Sequence, residues 1–113
     1  MAISIGVLFN PTVLTGSAAV IYTVPASPAT TTLVNGRVRF TNTTTTSIAY
    51  TLYAVPSAGS PSAANCICNA EALAQNTHVD IDIPLMGPGA TLQAFAGTAS
   101  DITMSAIAGY LSS

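Results

Sequence analysis

The sequence predicts an all-β fold: an antiparallel β-sandwich of about eight strands, a jelly roll or another Greek-key arrangement. Three observations carry this. Apolar and polar residues alternate in short runs, the period of a half-buried strand. Turn residues recur roughly every ten positions. Seven prolines and eight glycines are spread through the chain and interrupt any long helix.

Taken in order, Ile3, Ile5, Val7 and Phe9 alternate with smaller residues, so 2–9 reads as a first strand, closed by Asn10-Pro11. An ordinary strand inside its own sandwich is the favoured reading of this segment. The alternative is an uncharged strand free to add to a neighbour's sheet edge. Residues 18–24 form the second strand, stopped by Pro25 and Pro28. In the third, 34–41, Val38 and Phe40 face one way and Arg37 and Arg39 the other. The tract 42–46 is too polar for a core and reads as a turn. Strand four, 47–55, places Ile48, Tyr50 and Leu52 on one side and ends at Pro56.

Residues 65–73 suit a fifth strand, although Ala70-Glu71-Ala72-Leu73-Ala74 also fits one or two helical turns. Cys66-Ile67-Cys68 favours the strand. From 78 to 83, His78, Asp80 and Asp82 share one face, and Val79, Ile81 and Ile83 the other. A turn over 84–89 follows, then strands over 91–97 and 102–111. In the last of these Ile102, Met104, Ala106, Ala108 and Tyr110 line one side, with Ile107 and Leu111 opposite. Several strands are therefore apolar on both faces, whereas an isolated sandwich needs only its inner faces apolar. The surplus implies outer faces covered by a partner.

Composition points the same way. Charged residues make up 5% of the chain and hydrophobic ones 50%, against about a quarter charged in an ordinary domain. The chain contains no lysine, and Arg37 and Arg39 are its only two cations. A formal charge of −2 with so few basic groups argues against nucleic acid and against anionic membranes as partners. No apolar run approaches the ~20 residues of a membrane span. The first residues lack a positive region, so no secretory signal is expected. At 113 residues, a single domain spanning 1–113 is expected. Such a chain reads as a subunit of an assembly, and a homo-oligomer, dimer or trimer, is expected within it.

Chemistry-bearing groups are sparse. Cys66 and Cys68, two apart on a strand, point to one face at the outer limit of disulfide reach and read as free thiols. They suit synthesis in a reducing cytoplasm. His78, Asp80 and Asp82 are the strongest constellation, able in principle to bind a divalent cation or share a proton. A solvated polar face is the plainer reading, and ion pairing with Arg37 and Arg39 across adjacent strands is the third. No nucleophile, base and orienting group are gathered by any motif, so neither catalytic residues, a metal nor a cofactor is expected. The residues singled out for contact with partners are Ile3, Ile5, Val7, Phe9, Arg37, Arg39, His78, Asp80, Asp82 and Tyr110.

Three segments together resemble a known layout. Val20-Ile21-Tyr22-Thr23-Val24-Pro25-Ala26, Val38-Arg39-Phe40-Thr41-Asn42-Thr43 and Tyr50-Thr51-Leu52-Tyr53-Ala54-Val55-Pro56 are similar to strand ends of small structural proteins of tailed bacteriophages. Leu85-Met86-Gly87-Pro88-Gly89-Ala90-Thr91-Leu92 and Ile107-Ala108-Gly109-Tyr110-Leu111 continue the likeness, which covers roughly 13–111. Ser27-Pro28-Ala29 departs from it, where the family often carries a glycine and a basic residue. The resemblance implies a virion component: a head decoration or cement protein that contacts the major capsid protein, or alternatively a tail or fibre accessory protein for host attachment.

Overall fold

The computed structural model describes residues 3–113, within which the alternating runs form nine strands. They are β1 (Ile3–Ile5), β2 (Thr12–Val13), β3 (Ala19–Thr23), β4 (Thr32–Asn42), β5 (Ile48–Val55), β6 (Cys66–Leu73), β7 (Thr77–Asp82), β8 (Thr91–Ala96) and β9 (Ile102–Ser112). A single turn of 3-10 helix, Ala63–Asn65, precedes β6.

The strands make two antiparallel sheets packed as a sandwich. In the first, the order is β1-β9-β4-β7, and β2 joins β9 on the same side as β1. In the second it is β3-β8-β5-β6. From β2 onwards only β5 and β6 are consecutive neighbours, so every other connection crosses between sheets. That is the Greek-key manner of linking a sandwich.

The inner faces supply one continuous core. Leu33, Val38 and Phe40 from β4 meet Tyr50 and Leu52 from β5, Leu92, Ala94 and Ala96 from β8, and Ile102 and Met104 from β9. The Phe40 and Tyr50 rings stack across the gap with centroids 4.9 Å apart. Each fully buried aliphatic or aromatic side chain here is worth about 1.5–3 kcal/mol relative to exposure. Leu14 and Val24, just outside β2 and β3, are also fully buried and close the layer.

Five expectations need correction. The first strand does not run to Phe9: β1 stops at Ile5, because Gly6 offers no side chain to pack. The chain then returns to β9 as β2, a short strand the alternation did not reveal, which makes nine strands where about eight were expected. Ala2, counted with that first strand, lies outside the described residues. The alternation of β9 also breaks. Arg37 pairs with Ala108 but Val38 with Ala106, so Ile107 is the extra residue of a bulge. Beyond it Leu111 turns to the core, opposite Leu33, and Tyr110 pairs with Val34.

The polar tract is the fourth. Asn42 is fully buried at the end of β4, and only 43–47 form the connection. The fifth concerns the cysteines: 66–73 is strand, as favoured, but the register shift between Leu52 and Tyr53 sets Cys68 beside Leu52 in the core and Cys66 beside outward-facing Tyr53, so the two free thiols lie on opposite faces and not on one.

Candidate functional site

The outer face of the first sheet is built from three cross-strand rows. Thr103, Thr41 and His78 form one, Ser105, Arg39 and Asp80 the next, and Ala108, Arg37 and Asp82 the third. Alternation places them outward because Val38 and Phe40, between them on β4, are core. Arg39 donates from Nε to Asp80 Oδ1 at 2.7 Å and from Nη2 to Oδ2 at 3.1 Å, a bidentate pair. Arg37 donates from Nε to Asp82 Oδ1 at 2.7 Å. The hydrogen bond from Arg39 holds the Asp80 carboxyl below its ordinary range, and bonding to Asp82 and Asp80 raises the two guanidiniums.

These pairs use both cations of the chain. The carboxylates that a metal or a proton shuttle would need already serve as ion-pair partners within β4 and β7. Among the described residues no group of three or more His, Cys, Asp or Glu is gathered to hold a metal ion.

The outer face of the second sheet carries a different chemistry. Val20, Gln93 and Tyr53 form one cross-strand row, with Cys66 beyond Tyr53, and Thr51 lies opposite Phe95. The Tyr53 and Phe95 rings stack at 6.5 Å, and Val20 is 55% exposed. None of these residues is charged. Glu71, farther along β6, accepts a 2.9 Å hydrogen bond from Tyr50 Oη. Burial first, then that carboxylate, pushes the Tyr50 phenol well above its ordinary range.

A third surface runs along the β1–β2 edge. Ile3 is 58%, Val7 77% and Val13 51% exposed. Behind Val7 an open groove of about 370 Å3 separates 6–8 from the bulged stretch 106–109 of β9. Another, of about 520 Å3, lies between Gly36, Arg37, Asp82, Leu85 and Ala108, and Leu85 is exposed beside it.

The ten residues singled out in the sequence thus fall in separate places. Ile3 and Val7 lie on one edge of the first sheet, with Ile5 at the register position opposite Tyr110. Arg37, Arg39, His78, Asp80 and Asp82 lie toward the opposite edge, beyond β9. Tyr110 is half-buried between β1 and β4. Phe9 is half-buried, packs on the core and meets the Tyr22 ring at 6.1 Å, so its ring serves internal packing. Val13, Val20, Leu85 and the Tyr53–Phe95 pair were not singled out in the sequence, whereas Ile107 was read there as facing away from the Ile102 side of its strand, and it is exposed.

No family model and no curated protein matches the chain. Solved structures do resemble it. One, from infectious bursal disease virus strain Gx, superposes with a TM-score of 0.53 at 11% identity, over 97% of this chain and 30% of that one. The infectious bursal disease virus VP2 subviral particle gives 0.48 at 12%, over 97% and 31%. The coat protein dimer of tobacco streak virus gives 0.44 at 13%, over 96% and 78%. The chain spans about a third of the length of the first two, and the strain Gx structure shares its fold.

Proposed function

We propose that this chain is a structural subunit of a virion, a decoration or cement protein of a tailed bacteriophage. It is made in the host cytoplasm as a single non-catalytic domain that takes no cofactor, and it seats on the major capsid protein or on other virion proteins. The observation that carries the reading is the pair of outer faces. One has its ions cancelled in two internal pairs, and the other has no charged residue in the rows flanking Tyr53. Covering the second face takes no ion out of water, and covering the first leaves no charge without a partner, although its two ion pairs lose solvent.

The strand order supports it. With β2 as the first strand, the orders β2-β9-β4-β7 and β3-β8-β5-β6 read as the two four-stranded sheets of a jelly roll, an architecture used by capsid domains. The mechanism is mechanical: apolar and hydroxyl-bearing faces bury against shell subunits and add contact area that resists internal pressure and heat. Burial is favourable by about 25 cal/mol per Å2 before ordering costs are subtracted.

The experiment is to strip the protein from particles and follow heat-induced DNA release. A lower release temperature, restored when the protein is added back, is the expected result. An unchanged temperature rejects the cementing role. A copy number of a handful per particle, in place of hundreds, would move the reading to a tail or fibre accessory.

A further inference from the structure

An asparagine side chain can react with its own backbone when the next residue's amide nitrogen is free to reach it. The chain has six asparagines, and five are guarded. Asn10 precedes Pro11, whose nitrogen carries no proton to lose. Asn42 is fully buried, with both ends of its amide hydrogen-bonded. Asn65 accepts from Ser62 N at 3.1 Å and donates from Nδ2 to Ser60 O at 3.0 Å. Asn69 is exposed, but its attacking group would be Ala70 N, which donates to Thr51 Oγ1 at 3.0 Å. Asn76 is followed by Thr77, whose branched side chain crowds its own nitrogen.

Asn35 lacks every one of these guards. Gly36 follows it, with no side chain to shield the nitrogen. Asn35 is exposed, and among the described residues no side-chain hydrogen bond holds it. The β4–β9 register steps from Val34 opposite Tyr110 to Arg37 opposite Ala108, which leaves Asn35 and Gly36 outside the paired positions. Asn35 sits at φ 53°, in the left-handed region that asparagine tolerates. Both residues line the open groove of about 520 Å3 with Arg37, Asp82 and Leu85, so the side chain has room to swing and water has access. We infer that Asn35-Gly36 is a self-modification site, where the chain deamidates through a cyclic imide while its other asparagines stay intact.

The chemistry needs only water. Gly36 N gives up its proton and bonds to Asn35 Cγ, the Cγ–Nδ2 bond breaks, and ammonia leaves with that proton. Water then opens the ring at either carbonyl, giving aspartate or isoaspartate. Either product sets a new carboxylate in the groove that Arg37 and Asp82 line. Isoaspartate also lengthens the backbone by one carbon, next to the hydrogen bond that Gly36 O accepts from Ile83 N at 2.8 Å.

Incubation of the folded protein at pH 8.5 and 37 °C, then denaturation and brief tryptic digestion, tests this. The two arginines divide the chain into 1–37, 38–39 and 40–113, so Asn35 shares its peptide with Asn10 alone, and the other four asparagines fall in the last. A mass gain of about 1 Da should build in 1–37 about tenfold faster than in 40–113. Incubation unfolded in guanidinium chloride separates fold from sequence. It should speed the gain in 40–113 and leave that in 1–37 within about threefold, because the fold guards the one set and not the other. Asn35→Gly, which suits the left-handed φ and keeps the fold by circular dichroism, should abolish the gain in 1–37. An unchanged mass of 1–37 overturns the inference. So do equal rates in the two peptides, a rate in 1–37 that folding suppresses as strongly as in 40–113, or a gain that survives Asn35→Gly. The virion role is unaffected by either result.

Discussion

Asn42 sits fully buried where β4 gives way to the connection, with hydrogen bonds at both ends of its amide. Its Nδ2 donates to the carbonyls of Thr46, Leu73 and Ala74 at 2.9, 3.0 and 3.3 Å. Its Oδ1 accepts from Thr44 N at 2.9 Å and Thr44 Oγ1 at 2.6 Å. One side chain therefore ties the 43–47 connection to the end of β6. Asn42→Ala should cost about 3 kcal/mol in urea unfolding, because it strands buried carbonyls as well as losing bonds. Asn42→Asp should cost more, since a carboxylate faces those same carbonyl oxygens.

Cys68 offers a second test. Burial, then Glu71 and Cys66, pushes its thiol from 9.0 up to about 11. A thiol reagent at pH 8 should therefore label Cys66, which is half-buried, and spare Cys68 until the protein unfolds. A folded-state pKa raised in this way contributes stability that is intact below 9.0. As pH rises from there to about 11, the unfolded chain ionises first and that stability is lost. Urea midpoints should fall across that window, and Cys68→Ala should make the fall shallower. Tyr50, raised for the same first cause, extends the loss to higher pH.

Among the elements, β9 depends on two irregularities. Asn35 at φ 53° lies between Val34 and Arg37, where the β4–β9 register shifts, and Ile107 is the extra residue on the other strand. Gly109 has φ +132°, and a Cβ there would lie 3.0 Å from Leu8 Cδ1 and 3.1 Å from Gly36 Cα. One of those atoms is backbone and cannot swing aside. Gly109→Ala should destabilise by about 2 kcal/mol or more, from strain plus crowding, read as a shifted urea midpoint with unchanged slope. The ion pairs of β4 and β7 lie at the other extreme. Solvent-exposed, they orient strands more than they stabilise them. What the depressed Asp80 pKa does contribute is present above the ordinary carboxylate range and lost as pH falls through its lowered value.

At the scale of the whole molecule the dominant fact is ionic poverty. The principal extents are 46 × 26 × 17 Å, so the sandwich is thin and offers broad faces for its mass. Counter-charges on a partner would have little to grip, so the proposed attachment to viral shells should be nearly salt-independent. Between 50 and 500 mM salt the affinity should change by less than about threefold, measured by co-sedimentation with stripped particles. A tenfold loss would show that ions carry the contact.

The fold class and most strand positions were legible in the sequence because side-chain alternation and proline breaks act locally. Val38 and Phe40 against Arg37 and Arg39 could be assigned to faces from period alone, and so could β7. What local pattern cannot supply is pairing partners. Whether Arg39 meets Asp80 in its own chain depends on β4 and β7 being neighbours, a contact 41 residues apart in sequence. The same holds for Asn42: a polar residue next to a threonine run reads as surface until β6 closes over it. The bulge at Ile107 and the short β2 are settled by the strands beside them. Local patterning determined what this chain can form, and long-range packing decided which faces and edges were left open for others.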